Sequence, residues 1–211
     1  MWRGAAAMAA ERLPAAERHA GYAVLATLFA RELVPETAAE LRAGALRTLL
    51  PTAADDPEAA AAIAALEAAT PGADAPLLPL AGVYGRLFLG AGGERGVAPY
   101  ASAYLSPQGR LFQEPARAMA DLLRRADRNL AVAGEAPDHL AVQLALMAEL
   151  AASDDPAAGA LADELRTDWL APWLGDVARD LERLDSSGVY AAAGRLARWL
   201  VARDGGLAAA A

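Results

Sequence analysis

The side chains best suited to acid–base or metal chemistry lie in one segment, Glu135-Ala136-Pro137-Asp138-His139-Leu140. The only histidines are His19 and His139, and there is no cysteine. A zinc site would need both histidines together with carboxylates, and no His-x-x-x-His spacing joins them. The Asp–His pair has no Gly-x-Ser-x-Gly motif with which to form a catalytic triad. The residues alone favour a helix start with a solvent-facing imidazole, and a helical metal-dependent hydrolase using His19, His139 and carboxylates is the catalytic alternative.

A glycine-rich stretch, Gly90-Ala91-Gly92-Gly93-Glu94-Arg95-Gly96, is the only candidate for a phosphate-binding loop. It lacks the Gly-Lys-Ser/Thr ending of a P-loop, and the periodicity before it predicts a helix where nucleotide-binding motifs need a strand. The stretch is therefore interpreted as a flexible connector.

Aromatic residues lie on both sides of this stretch. Tyr84 and Phe88 are four residues apart and would share one face of a helix, and Tyr100, Tyr104 and Phe112 follow later in the sequence. Packing in a hydrophobic core explains such spacing most simply. A groove for an apolar peptide helix would need the same kind of surface.

The elements that must position these residues are all predicted to be helical, because apolar residues recur at helical spacing nearly throughout and no segment alternates like a strand. Proline and Asp-Asp-Pro signals mark most of the helix starts. The sequence predicts an all-α fold, a single compact bundle of about eight or nine helices. One domain is expected over residues 1–211, with flexible tails at 1–13 and 204–211. The predicted helices are approximately 14–31, 36–50, 57–69, 77–89, 114–127, 137–152, one starting at 156, 172–185 and one ending near 203.

Charge narrows the possible partners. The 211 residues carry a net charge of −8, and residues 135–185 contain twelve acids against three arginines. Such a surface repels nucleic acid and attracts a basic partner, although a solvated face that keeps the protein soluble is the simpler explanation. A nucleic-acid-binding regulator would have to use the arginines at 117, 124, 125 and 128. No apolar run is long enough to span a membrane, and a cytoplasmic protein is expected.

Taken in order, three segments resemble motifs of the TorD-like chaperones, the family of redox-enzyme maturation proteins. Tyr84-Gly85-Arg86-Leu87-Phe88 resembles the family's aromatic-x-x-Leu-Phe motif, and Pro99-Tyr100-Ala101-Ser102-Ala103-Tyr104 its Pro-Tyr-Glu-Ser-x-Tyr motif. The third, Glu135 to Leu140, resembles Glu-Pro-x-Asp-His. Two departures are Ala101 in place of the glutamate and a proline that sits one position later, at Pro137.

The resemblance implies a cytoplasmic chaperone and not an enzyme. Its partner would be an apo-molybdoenzyme, bound through the twin-arginine leader peptide or N-terminal segment, so that cofactor insertion and folding precede export. The resemblance also leaves open weak binding of guanine nucleotide. The protein is expected to be a monomer or a domain-swapped dimer, since the glycine-rich stretch would permit such an exchange. The identity of the client and the start residue, Met1 or Met8, stay open. The residues expected to bind the leader are Glu135, Asp138, His139, Tyr84, Phe88, Tyr100 and Tyr104.

Overall fold

The computed structural model describes residues 12–128 and 136–205, and within these ranges the fold is all-α, as predicted. The only β-type pairing there is an isolated bridge between Tyr100 and His139. A 3₁₀ turn covers Gly93–Arg95 and a π-helical turn covers Leu165–Leu170. The α-helices are α1 (Ala15–Ala30), α2 (Pro35–Arg42), α3 (Ala45–Leu49), α4 (Pro51–Asp55), α5 (Pro57–Ala69), α6 (Leu78–Phe88), α7 (Ala101–Leu105), α8 (Glu114–Arg125), α9 (Leu140–Ala151), α10 (Pro156–Glu164), α11 (Ala171–Leu184) and α12 (Val189–Asp204).

Proline and aspartate signals set several helix starts as the sequence predicts. The side chain of Asp56 accepts hydrogen bonds from the backbone N–H groups of Glu58 and Ala59 at the start of α5. Asp155 caps α10 in the same way, through the N–H of Ala157. In each case a carboxylate satisfies helix N–H groups that have no partner inside the helix.

The structure has more helices than the eight or nine predicted, because one predicted helix is divided and additional short helices are present. The predicted helix 36–50 is broken at Gly44, whose φ of 80° is incompatible with a continuous α-helix. Pro51, directly after the predicted helix, begins the additional short helix α4. The buried Glu17 supports α4 by accepting hydrogen bonds from the backbone N–H and the hydroxyl of Thr52, at 3.0 and 2.7 Å.

The predicted helices beginning at 156 and 172 are joined. The π-helical turn Leu165–Leu170 connects α10 to α11. Pro172 has no N–H to donate to the carbonyl four residues earlier, and a widened turn before it allows the helical path to continue. The indole N–H of Trp173 in α11 donates to the carbonyl oxygen of Trp169 in this turn at 2.7 Å.

The hydrophobic core forms where α1 packs against α9 and α12, while α12 also packs against α5 and α11. Its largest fully buried side chains include Trp173, Tyr22 and Phe29. At Gly21 a Cβ atom would lie only 2.9 Å from Leu200 Cδ2, so glycine permits α1 to approach α12 closely. One cluster of buried apolar side chains extends from Leu13 to Val201. The single domain over residues 1–211 stays a prediction.

The ends of the described chain are held in the fold. Leu13 is buried, and Arg12 Nε donates to Oδ1 of the buried Asp204 at 2.7 Å. Tyr22 donates its hydroxyl to the other oxygen of Asp204 at 3.0 Å. The predicted flexible tails therefore do not include these residues, and their remaining parts, 1–11 and 206–211, lie outside the described residues. Among the helices of the described ranges, none is long and apolar enough to cross a membrane.

Candidate functional site

The three motif-bearing segments are tied together by backbone hydrogen bonds. The N–H of Val97 donates to the carbonyl of Leu87 at 2.7 Å, which joins the end of α6 to the segment that follows the glycine stretch. The N–H of Leu140 donates to the carbonyl of Pro99 at 2.7 Å, and the N–H of Ala101 donates to the carbonyl of Asp138 at 3.1 Å. Residues from three separate parts of the sequence thus form one local structure.

Asp138 is fully buried and holds the start of α7. Its Oδ2 accepts the backbone N–H of Ser102 at 2.8 Å, so the carboxylate acts as a helix cap supplied from a distant part of the chain. Ser102 in turn accepts the N–H of Gln113 through its hydroxyl oxygen, at 3.2 Å. Asp138 Oδ1 has no hydrogen-bond partner among residues 12–128 and 136–205. The carboxylate therefore stabilises the conformation of residues 101–113.

His139 is also buried, and the interpretation of a solvent-facing imidazole is wrong. Its Nδ1 accepts the backbone N–H of Ala141 at 3.1 Å, so the side chain caps α9, which begins at Leu140 rather than near Pro137. The imidazole ring meets the ring of Tyr100 edge-to-face, with centroids 5.0 Å apart. Glu135, the other charged residue of this motif, lies outside the described residues.

Tyr84 and Phe88 belong to the core. The hydroxyl of Tyr84 donates to the carbonyl of Phe29 at 3.1 Å. The ring centroids of Tyr84 and Phe88 lie 5.0 Å apart. Phe88 also meets Tyr190 edge-to-face at 5.2 Å. Both side chains are more than 90% buried and pack the inner face of α6.

Tyr104 is half-buried and links α7 to α11. Its hydroxyl donates to Asp180 Oδ2 at 3.1 Å, and its ring stacks at a tilt on Trp173 with centroids 5.4 Å apart. Burial, and then the nearby carboxylate of Asp180, raises the pKa of Tyr104 above its ordinary value.

The glycine stretch is a folded turn, which the interpretation as a flexible connector missed. Hydrogen bonds from Arg95 to Gly92 and from Gly96 to Gly93, each 3.0 Å, close the turn behind α6. A Cβ atom on Gly92 would lie only 2.4 Å from the carbonyl oxygen of Arg86, so the close packing of this turn requires glycine.

An apolar pocket opens where this turn meets the second motif. The cavity measures about 290 Å³ and is walled by side chains of the first two motif segments and of the loop after α7, together with the turn's backbone. Its apolar side chains are those of Leu87, Phe88, Val97, Ala98, Pro99, Tyr100 and Leu111.

Exposed apolar side chains follow the pocket wall. Phe112, directly after Leu111, is 65% exposed and has a φ of 59°, a left-handed conformation that is rare for an aromatic residue. Leu111 and Phe112 were not among the residues expected to bind the leader, although two consecutive apolar residues outside every predicted helix were a usable signal. Of the expected site residues, the structure places Phe88 and Tyr100 at this pocket.

Metal ligands are not assembled at this site. Within the described parts of the chain, no three His, Asp or Glu side chains are placed to hold a metal ion. Nδ1 of His19 lies 3.0 Å from the carbonyl oxygen of Ala148. His139 uses its own Nδ1 on the backbone of α9, so the two histidines have separate structural roles.

The described residues thus form an all-helical fold with an apolar pocket at its surface. Residues 52–179 match the family model described as nitrate reductase delta subunit. The chain is 31% identical over 193 residues to the chaperone protein TorD of Shewanella loihica, covering 87% of this chain and 89% of that protein. It is 33% identical over 196 residues to TorD of Vibrio cholerae O395 (85% and 86%), and 32% identical over 205 residues to TorD of Ferrimonas balearica (92% and 91%). The chain therefore belongs to the TorD-like chaperone family, whose named relatives are chaperones and not enzymes.

Proposed function

We propose that the chain is a cytoplasmic, system-specific chaperone that binds the twin-arginine leader or N-terminal segment of a molybdopterin oxidoreductase. By holding this client before export, it supports cofactor insertion and folding. The observation that carries the proposal is an apolar pocket lined by the first two motif segments, which the third holds through backbone hydrogen bonds, beside the exposed Leu111 and Phe112. The similarity to chaperones named TorD over most of the chain supports it independently.

The apolar part of a leader suits this pocket. A peptide that folds into an amphipathic helix places anchors three or four residues apart, and one anchor side chain would enter the cavity between Leu87 and Tyr100. Neighbouring anchors would cover Leu111 and Phe112, which are otherwise exposed to water. Burial of apolar surface at about 25 cal/mol per Å² would supply the main favourable term.

The basic part of a leader suits the charge of the protein. Residues 135–185 hold twelve acids against three arginines, and Asp154, Asp155 and Asp168 are exposed without an ion pair within the described residues. Carboxylates of this kind would attract the paired arginines during encounter and fix the direction of the bound peptide.

The other residues expected at the site would hold the segments that form the pocket in place. Asp138 and His139 hold the segment that presents Tyr100, while Tyr84 and Phe88 fix the end of α6. Tyr104, half-buried between α7 and α11, would set the orientation of the loop that carries Leu111. Glu135 precedes the buried motif and is proposed to add a carboxylate to the recognition surface.

Calorimetric titration of the full chain tests the proposal. The probe is a synthetic peptide with the sequence of the twin-arginine leader of a molybdopterin oxidoreductase. We expect a Kd of about 1 µM or tighter, typical of a small specific interface. A control peptide with the apolar stretch changed to serine and glutamine should bind at least tenfold more weakly. Equal affinity for the two peptides would contradict the proposal.

A further inference from the structure

The loop between α7 and α8, residues 106–113, presents one aromatic residue in an unfavourable state. Phe112 has a φ of 59°, in the left-handed region that is sterically unfavourable for a residue with a Cβ atom. It is 65% exposed and does not line the apolar pocket, whereas Leu111, directly before it, does. Both the backbone and the ring of Phe112 would gain by leaving this position, so other contacts must hold the residue there.

Gln113 supplies contacts on both sides of Phe112. Its side-chain Nε2 donates to the carbonyl oxygen of Leu111 at 2.9 Å, and this carbonyl belongs to the peptide group before Phe112. Its backbone N–H belongs to the peptide group after Phe112 and donates to the hydroxyl oxygen of Ser102 at 3.2 Å. The two bonds therefore fix the two peptide groups whose relative rotation defines the φ and ψ of Phe112.

Gln113 is itself anchored to the fold. Its carbonyl oxygen accepts the N–H groups of Ala116 and Arg117 at 3.1 and 3.3 Å, the first hydrogen bonds of α8. Its partner Ser102 is held by the buried Asp138 through a bond of 2.8 Å. A continuous series of hydrogen bonds thus joins the third motif to the exposed loop.

The apolar pocket beside the loop is large enough to take the ring of Phe112. The pocket measures about 290 Å³, and a cavity of about 150 Å³ accommodates a benzene molecule. Without the restraint from Gln113, Phe112 would return to a favourable φ, and its ring would leave water for the apolar side chains next to Leu111. The pocket would then be closed to any other apolar group.

We propose that Gln113 is a positioning residue that keeps the apolar pocket open by holding Phe112 outside it. The inference rests on the proposed function, in which an apolar anchor of the leader enters this pocket. When the ring of Phe112 occupies the pocket, the leader must displace it, and the apparent affinity falls in proportion to the fraction of open protein.

Fluorine NMR of the leader-free full chain tests the role of Gln113. The sequence has three phenylalanines, of which Phe29 and Phe88 are buried and Phe112 is exposed. With para-fluorophenylalanine at all three positions, one resonance should shift between light and heavy water, and Phe112→Asn should remove that resonance. Gln113→Met keeps the length of the side chain but has no N–H to donate. It should reduce the solvent shift of the Phe112 resonance at least threefold, because the ring leaves the water.

Gln108→Met is the matched control. Gln108 is exposed in the same loop, and its side chain forms no hydrogen bond within the described residues. This variant should keep the solvent shift of the Phe112 resonance, and the circular dichroism of every variant should equal that of the parent. An unchanged resonance in Gln113→Met, or the same loss of solvent shift in Gln108→Met, would overturn the inference.

Calorimetry with the leader peptide connects the closed pocket to binding. Gln113→Met should weaken leader binding about tenfold, which corresponds to an open fraction of about one tenth. In a chain that already carries Phe112→Asn, the same change should have no further effect, because the ring that closes the pocket is absent. A further tenfold loss in that double variant would overturn the inference. A parent chain that binds no leader would contradict the proposed function, and the fluorine resonance would still decide whether Gln113 holds Phe112 outside the pocket.

Discussion

Replacing Asp138 by alanine tests whether this buried carboxylate holds the second motif in place. The change removes the acceptor of the Ser102 N–H, a 2.8 Å bond in a fully buried site. A hydrogen bond to a charged group contributes about 1.5–3 kcal/mol, and leaving its buried partner unsatisfied costs a similar amount. We expect the free energy of unfolding to fall by about 2 kcal/mol.

Urea denaturation followed by circular dichroism measures this loss. Asp138→Asn is the informative comparison, because an amide oxygen can still accept the Ser102 N–H, and it should recover at least half of the loss. Asp168→Ala removes an exposed carboxylate and should change the free energy of unfolding by less than about 0.5 kcal/mol. Leader affinity should fall in the alanine variant and return in the asparagine variant.

Two results would refute this reasoning. If Asp138→Ala were as stable as Asp168→Ala, the bond to Ser102 would carry no structural role. If both Asp138 variants lost leader affinity equally while remaining fully stable, the charge of Asp138 would act on the leader directly. The bond to Ser102 would then not explain the effect of Asp138 on leader binding.

Three further predictions concern the glycine turn, the exposed loop and the tyrosines. Gly92→Ala should lower the free energy of unfolding by about 1–3 kcal/mol, because the new Cβ would lie 2.4 Å from a backbone carbonyl oxygen. Gly72→Ala is the control, since the space around Gly72 is open, and it should change the free energy of unfolding little. Urea denaturation compares the two variants. Phe112→Asn should weaken leader binding without loss of stability, since asparagine tolerates the φ of 59° that Phe112 adopts; unchanged affinity by calorimetry would exclude Phe112 from the interface. Burial raises the pKa of Tyr22 and Tyr104, so these tyrosines keep their protons in the folded state at a pH where the unfolded chain loses them. Stability from this source is complete below pH 10 and falls above it, and the urea midpoint measured from pH 9 to 11 should decrease.

The fold class and most helix starts were readable from sequence because their causes are local. Asp56 and Asp155 precede prolines and cap helices through N–H groups two or three residues away. The break at Gly44 and the continuity through the π-helical turn were not readable, because both depend on how the flanking helices pack.

At the candidate site, too, local features were predicted from the sequence and long-range contacts were not. The sequence supplied the three motifs and their order, but not the burial of Asp138 and His139. Their partners, Ser102 and Tyr100, lie 36 and 39 positions away along the chain. The residues of the third motif, taken alone, are as consistent with a solvent-facing helix start as with a buried one. The folded glycine turn was missed for a related reason, since it is closed by backbone hydrogen bonds within the stretch and by the bond from the N–H of Val97 to the carbonyl of Leu87, and not by side chains.

Photo-crosslinking tests the central claim most directly. A leader peptide carrying a photoreactive phenylalanine in its apolar stretch is bound to the full chain, irradiated, and the crosslinked residues are identified by mass spectrometry. The account predicts crosslinks concentrated within residues 87–112, at the wall of the apolar pocket and on Phe112. Crosslinks confined to other faces of the protein, or formed equally by a scrambled peptide, would contradict it.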